Sequence, residues 1–243
     1  MSPDIRKHRG AHPEDRKLFT GDQLAALRQA VDELSWLLTR EYSIKAALKV
    51  VGDRHELTER QRIAVSRAAC SDQSRAWRAT TAVALASLHD ANVIIDGFNL
   101  IITVEAALSG GVLMVCRDGC IRDISSVHGS YRSVSETDRA LNLIGESLSH
   151  LKPRSVKWLL DRPVSNSGRL AARIRDLAEH HSWQWDIETC FNPDREIIAS
   201  GHITISSDGP LLDQVERWTN FARDLIEKSV ADAWIIDLSW PVP

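Results

Sequence analysis

No stretch of this chain reaches the roughly 18 consecutive apolar residues that a membrane-spanning helix needs, and no membrane partner is expected. Cysteine is scarce, with four residues (Cys70, Cys116, Cys120, Cys190) in 243. That is too few for a disulfide framework in a chain this long. Cys116 and Cys120 flank the turn-like Arg117-Asp118-Gly119 and could face each other across a hairpin. No second close pair is there to complete a zinc site. The polar N-terminus lacks the apolar core of a signal peptide, so a cytoplasmic location is expected. Internal repeats and low-complexity tracts are also missing. Net charge is only −3, which gives no strong bias toward an anionic partner. The charge is uneven, however: residues 1–90 carry 15 Lys+Arg against 12 Asp+Glu, and residues 91–243 carry 15 against 21. A basic front and an acidic back would suit a part that holds nucleic acid beside a part that holds metal; chance variation gives the same numbers.

What is present is ordinary globular material, 43% hydrophobic, arranged in two styles. Residues 1–19 are charged and carry His and Pro, as a flexible lead-in does. Over residues 20–90 the pattern is helical. Leu24, Leu27, Val31, Leu34 and Leu38 repeat at three- and four-residue spacing, one apolar stripe. Ser43 is placed to cap a second helix ending near Gly52. Thr58 with Gln61 forms a capping-box pattern that starts a third. A fourth helix is expected over about 74–88. Residues 91–243 then alternate strands and helices, with strands expected at 93–96, 155–160, 183–189, 202–206 and 234–238. Residues 112–116 and 120–124 flank an Asp-Gly turn as a hairpin does. Helices are expected over 100–108, from Ser135 or Asp138 to His150, and over 167–181. Such alternation implies an α/β fold with a mostly parallel sheet flanked by helices, joined to an all-helical N-terminal domain.

The residues that carry chemistry are acids at strand tips. Val93-Ile94-Ile95-Asp96-Gly97-Phe98-Asn99 ends a buried-strand run in a carboxylate, and later runs end at Asp161 and Asp208. In parallel sheets ligands bind beyond the strand C-termini. Acids gathered there repel one another, and a divalent cation relieves the repulsion; oxygen-only donors suit Mg²⁺ or Mn²⁺. Asp194, in Asn192-Pro193-Asp194-Arg195-Glu196, is a further candidate, and Asn99 could orient water or phosphate through its amide. Each Asp is equally suited to being a turn former or a helix N-cap. Asp213 and Glu105 read more simply as helix-surface residues.

At these residues the sequence resembles PIN-like and NYN nuclease domains. Ile94-Ile95-Asp96-Gly97-Phe98-Asn99 is similar to their opening strand, and Asp194-Arg195-Glu196-Ile197-Ile198 with Ile203-Thr204-Ile205-Ser206-Ser207-Asp208-Gly209 is similar to their closing half. The resemblance covers roughly residues 92–243. It implies a sheet flanked by helices, a Mg²⁺ or Mn²⁺ site, and cleavage of RNA or single-stranded nucleic acid; Asp96, Asp194 and Asp208 would be the metal core, Asp161 an auxiliary acid, and Asn99 would position water or phosphate. The Cys116–Cys120 hairpin and the loop His128-Gly129-Ser130-Tyr131-Arg132 depart from a minimal core of that type. The whole chain also resembles an uncharacterised prokaryotic family of two parts, DUF434 and DUF5616, through Val51-Gly52-Asp53-Arg54, Leu57-Thr58-Glu59-Arg60-Gln61-Arg62, Cys70-Ser71-Asp72, Glu105-Ala106-Ala107-Leu108-Ser109-Gly110-Gly111 and His128-Gly129-Ser130-Tyr131-Arg132. That family brings no activity with it.

Substrate-binding candidates follow from side-chain type. In the 128–132 loop, His128 could move a proton, Tyr131 could stack a base and Arg132 could clamp a phosphate; a structured loop anchored to the second half is the competing reading. Ser167 opens a helix, where anions bind well, and is also a plain N-cap candidate. Arg54, Arg60, Arg62 and Arg67 lie on a possible helix-turn-helix. The expected function is a metal-dependent nuclease. A non-catalytic regulator binding through its helical part, and a small-molecule phosphohydrolase, are the alternatives. Oligomeric state is open, a homodimer included.

Overall fold

The computed structural model describes residues 8–125 and 131–239. His128 lies outside them. The expected α/β architecture is present, with five parallel strands in the order β5-β4-β1-β6-β7. These are β1 (Asn92–Asp96), β4 (Ser155–Asp161), β5 (Trp185–Cys190), β6 (Ile203–Ile205) and β7 (Trp218–Thr219). A second, three-stranded sheet holds the expected hairpin, β2 (Leu113–Val115) with β3 (Ile121–Asp123), and the last strand β8 (Ile235–Asp237), which runs parallel to β2.

Strand β1 is central because it is apolar on both sides. Val93, Ile94 and Ile95 are all buried, as strands covered on both faces must be. Val93, Ile95, Trp158, Leu160 and Ile205 face one layer, α6 (Gly97–Leu108), α7 (Thr137–Leu151), α8 (Ser167–His180) and α11 (Phe221–Ser229). Ile94 and Leu159 face the other, where α9 (Pro193–Ser200) and α10 (Gly209–Leu212) contribute Ile197, Leu211 and Leu212. By the two-residue alternation of strands, Asp96 and Asp161 project on the same side as Ile94 and Leu159, the side of α9.

The N-terminal helices are α1 (Asp15–Leu18), α2 (Asp22–Thr39), α3 (Ile44–Arg54), α4 (Glu59–Ala68) and α5 (Asp72–Thr81). The capping box forms as expected: the Thr58 backbone N–H donates to Gln61 Oε1 (3.1 Å), and Gln61 N–H donates to Thr58 Oγ1 (3.3 Å). Leu27, Val31 and Leu34 are buried, but not in a core of the helices' own. They share one with Val112, Met114, Cys116, Ile236 and Leu238 of the second sheet. Residues 20–90 therefore do not close on themselves.

Several boundaries differ from expectation for identifiable reasons. Residues 8–19 are not a flexible lead-in. Asp15 is fully buried against Arg60, Phe19 is buried, and Arg9 reaches the buried Glu105. The fourth helix stops at Thr81 because the chain is drawn into pairing with β7, Val83 N–H donating to Trp218 O (2.8 Å), and a short 3-10 turn at Leu85–Leu88 follows. Helix α6 begins at Gly97, directly after Asp96. Trp183 stands before β5 rather than in it, stacked between His181 and Trp185. The arginines of α3 and α4 have partners within the chain: Arg54, itself exposed, pairs with Glu33, Arg60 with Asp15, Arg62 with Asp53, and Arg67 donates to Asp123 O.

The parts are pinned by Asp118 in the β2–β3 turn. Arg122 gives it two hydrogen bonds (3.0 and 2.6 Å) and Arg78 of α5 a third (2.6 Å). Arg78 also pairs with Asp213 after α10, and Arg122 Nε donates to Ser207 O (2.5 Å). Burial pushes the Asp118 carboxyl up, but the Arg122 and Arg78 guanidiniums outweigh it and hold its pKa at about 2. With the folded value depressed, its contribution to stability is present above the usual carboxylate range and is lost as pH falls through about 2. Asp118→Ala leaves two buried guanidiniums short of a partner. It should lower unfolding free energy by about 3–5 kcal/mol at neutral pH, read by urea denaturation. A loss no larger than that of a surface ion pair, under about 1 kcal/mol, would show that the cluster does not clamp the fold.

Candidate functional site

The chain leaves β1 for β4 and β5 on one side, then returns to β6 and β7 on the other. The change of direction between β1 and β6 is a topological switch point, where open α/β sheets leave a crevice beyond the strand C-termini. Asp96 ends β1, and Ser206-Ser207-Asp208 follow β6. Side chains knit the two ends together. Ser206 Oγ donates to Asp96 Oδ2 (2.9 Å), and Asn99 Oδ1 accepts from Ser207 N–H (2.8 Å) and Ser207 Oγ (3.0 Å). Asp208 N–H donates back to Ser206 Oγ (3.0 Å).

The capping reading of these acids holds as well. Asp96 accepts from Asn99 N–H and caps α6, and Asp208 accepts from Leu211 N–H and caps α10. On α9 the cap is Asn192, accepting from Arg195 N–H (3.1 Å), which leaves Asp194 in the first turn with its carboxylate uncommitted to the cap. Asp161 ends β4 and caps no helix.

Three of these carboxyls, Asp96, Asp161 and Asp194, are nevertheless raised by burial and by acid neighbours. Burial raises the Asp96 carboxyl, the charges of Asp208 and Asp194 raise it further, and the Ser206 hydroxyl and Asn99 N–H oppose, for a pKa of about 7. Burial and then the Asp208 charge raise Asp194; burial and then the Asp194 charge raise Asp161. Asp96 is hemmed in by protein atoms yet keeps a partly accessible edge, the situation of an acid at the foot of a crevice. The donors are all oxygen, the type that hard divalent cations take. Among the described residues, no three acid, His or Cys side chains stand close enough together to enclose an ion as they lie.

A cleft of about 550 Å³ lies beside Asp208, and Asp96, Asp161 and Asp194 do not line it. Its floor is Asn99, Ser207 and Asp208, and its far wall is made by the N-terminal helices through Ser66, Arg67, Cys70 and Arg78. Nothing local to α2–α5 announces this wall, because it depends on those helices being carried across the second sheet. Arg122 and Asp123 also line the cleft and were not among the expected site residues. A hairpin strand carrying Arg and Asp looks like surface until its partners are known.

The substrate-binding candidates fare differently. Tyr131 is buried rather than available to a base. Its hydroxyl donates to Glu105 Oε1 (2.6 Å), and burial raises its pKa. Glu105, expected on a helix surface, is fully buried and also takes Arg9 and the Thr137 hydroxyl (2.5 Å). Ser167 is buried as well, its hydroxyl donating to Arg162 O (3.3 Å), and the N-cap position belongs to Asn166. Arg132 is exposed, and its carbonyl accepts from Arg9. Neither Tyr131 nor Arg132 lines the cleft. Cys116 and Cys120 are buried and free, and burial raises both thiols, Cys116 to about 11.

A doubly covered parallel sheet with acids at its switch point defines an α/β domain. The chain belongs to the family described as a domain of unknown function (DUF5616), whose model matches residues 85–224. A second model, described as a protein of unknown function (DUF434), matches residues 26–80. An uncharacterised protein of Methanocaldococcus jannaschii is 27% identical over 205 residues, covering 84% of this chain and 97% of that protein. No solved structure matches. Among the described residues, no helix is long and apolar enough to cross a membrane.

The raised Asp96 value has a definite sign. An acid whose folded pKa exceeds its unfolded one destabilises the fold once ionised, so stability declines as pH rises from the unfolded value near 3.8 through about 7. In EDTA at pH 8, Asp96→Asn should be more stable than wild type by roughly 2–4 kcal/mol, the two converging near pH 4. Parallel urea-denaturation curves at both pH values would remove burial and repulsion as the account of this acid.

Proposed function

We propose that the chain is a divalent-metal-dependent nuclease acting on RNA or single-stranded nucleic acid. The observation that carries this reading is Asp96, a carboxylate ending the central strand at the switch point, with the charges of Asp194 and Asp208 bearing on it. A carboxyl raised to about 7 by burial and by its neighbours is one that a bound cation would return to the ionised form. Mg²⁺ keeps several waters and is bound through one or two carboxylates, so a loose acid set suits it better than a closed cage would. Asp96, Asp194 and Asp208 are the proposed holders. When bound, the ion would supply a polarised phosphate oxygen and a more acidic water.

The chain's own residues set the rest. Asn99 Oδ1 must face the Ser207 N–H, a donor, which directs the amide nitrogen of Asn99 elsewhere. As Asn99 lines the cleft, that NH₂ group is suited to orient water or a phosphate oxygen. Asp161, raised by burial and Asp194, is suited to hold a proton. The cleft volume also favours a second reading, a phosphohydrolase acting on a small phosphate ester, because about 550 Å³ lies within the usual range of small-ligand sites.

Calorimetry with Mn²⁺ tests both. Wild type should bind Mn²⁺, Asp96→Asn should weaken binding by at least about tenfold, and affinity should fall as pH drops below 7 because a proton competes for the same carboxylate. With Mn²⁺ present, single-stranded RNA should be cut and EDTA should stop the cutting. Binding that is absent, or indifferent to Asp96→Asn, would sink the metal site. Hydrolysis of p-nitrophenyl phosphate with RNA left intact would establish the second reading instead.

A further inference from the structure

Phe191 directly follows β5. Its side chain is 72% exposed, and the Arg162 guanidinium carbon lies over the ring, 5.0 Å from its centroid. Single exposed apolar residues are common and need no explanation by themselves. Two further facts set this one apart. Arg162 is fixed from both ends: its backbone N–H donates to Cys190 O (2.7 Å), and its Nη2 donates to Thr189 O (3.0 Å). The guanidinium is thus held against the ring by the strand that carries it. The pair also abuts the acid row. Arg162 directly follows Asp161, which is paired with Cys190 across β4 and β5, and Phe191 stands three residues before Asp194.

We propose that Phe191 and Arg162 form a platform on which an unpaired base of a nucleic-acid strand stacks, with Arg162 also reaching the phosphate beside that base. The proposal rests on the nuclease reading and names the substrate's state within it. Arg162 covers one part of the ring, and the remaining exposed surface suits a base. Aromatic stacking on a base tolerates any sequence but requires the base to be free of a duplex stack. The order along the sheet edge is consistent. Strands are about 5 Å apart, so the platform on β5 lies about two strand spacings from Asp96 on β1, and the cleft opens beyond Asp208 on the far side of β1. A strand lying along this edge would have one base on Phe191, a phosphate over the acids and its next nucleotide in the cleft.

Fluorescence anisotropy with a short fluorescein-labelled oligouridine RNA tests this, with Ca²⁺ in place of Mg²⁺ to hold back cleavage. A duplex containing the same strand is the comparison. Phe191→Ala should weaken single-strand binding roughly ten- to a hundredfold, Phe191→Tyr and Phe191→Trp should keep near-wild-type affinity, and Arg162→Met should fall between. Mn²⁺ affinity by calorimetry should be unchanged in all four. The platform is overturned if Phe191→Ala binds as wild type does, if Phe191→Leu binds as well as Phe191→Tyr, if duplex binds as tightly as single strand, or if the wild type binds no oligonucleotide. Failure of the underlying reading looks different: wild type then binds no Mn²⁺ or cuts no RNA. Mn²⁺ binding and RNA cleavage together with a silent Phe191→Ala would remove the platform alone.

Discussion

Asp118 lies buried between two guanidiniums, and three parts of the chain meet there. Arg78 arrives from the N-terminal helices, Arg122 from the hairpin strand, and Arg122 continues to the Ser207 carbonyl beside Asp208. Removing three charges from water is costly unless the geometry is good and the remaining donors are satisfied. Here Arg78 is further satisfied by Asp213 and Arg122 by the Arg67 and Ser207 carbonyls. The backbone after β6 is therefore held by ionic contacts to a distant part of the chain, as well as by its own strand. That gives the crevice a rigid rim on one side.

The opposite tendency operates at Asp96. Its Ser206 and Asn99 hydrogen bonds do not offset burial and two neighbouring acids. A fold that keeps such a group gives up stability locally, which is characteristic of sites held ready for a ligand. Asp118 and Asp96 are thus two acids of opposite character, one buried and satisfied by cations within the chain, the other half-buried and left short of them.

How much of this could be read from sequence depended on how local each signal was. The capping box at Thr58 and Gln61 and the run Val93-Ile94-Ile95-Asp96 are decided within a few residues, and both formed as their chemistry required. The alternation of strands and helices also gave the parallel sheet. Tyr131 reads as a base-stacking candidate because it stands beside His and Arg, and nothing nearby reveals that Glu105 and Arg9, far away in sequence, bury it. Trp183 alternates with Trp185 as a strand residue should, yet stacking on His181 and the space left by Gly145 place it outside the strand. The wall of the cleft was illegible for the same reason. Arg78 and Arg122 acquire meaning only once helix and hairpin have been brought together.

The second sheet has one face covered by α2–α4 and the other by α6 and α11. Its strands come from both sides of the α/β domain's own strands, β2 and β3 from the middle of the chain and β8 from near its end. The two family segments, residues 26–80 and 85–224, therefore meet at a boundary of sequence that is not a boundary of folding. Residues 26–80 by themselves would bare the apolar faces of α2–α4, and residues 85–224 by themselves would bare the face of the second sheet that those helices cover.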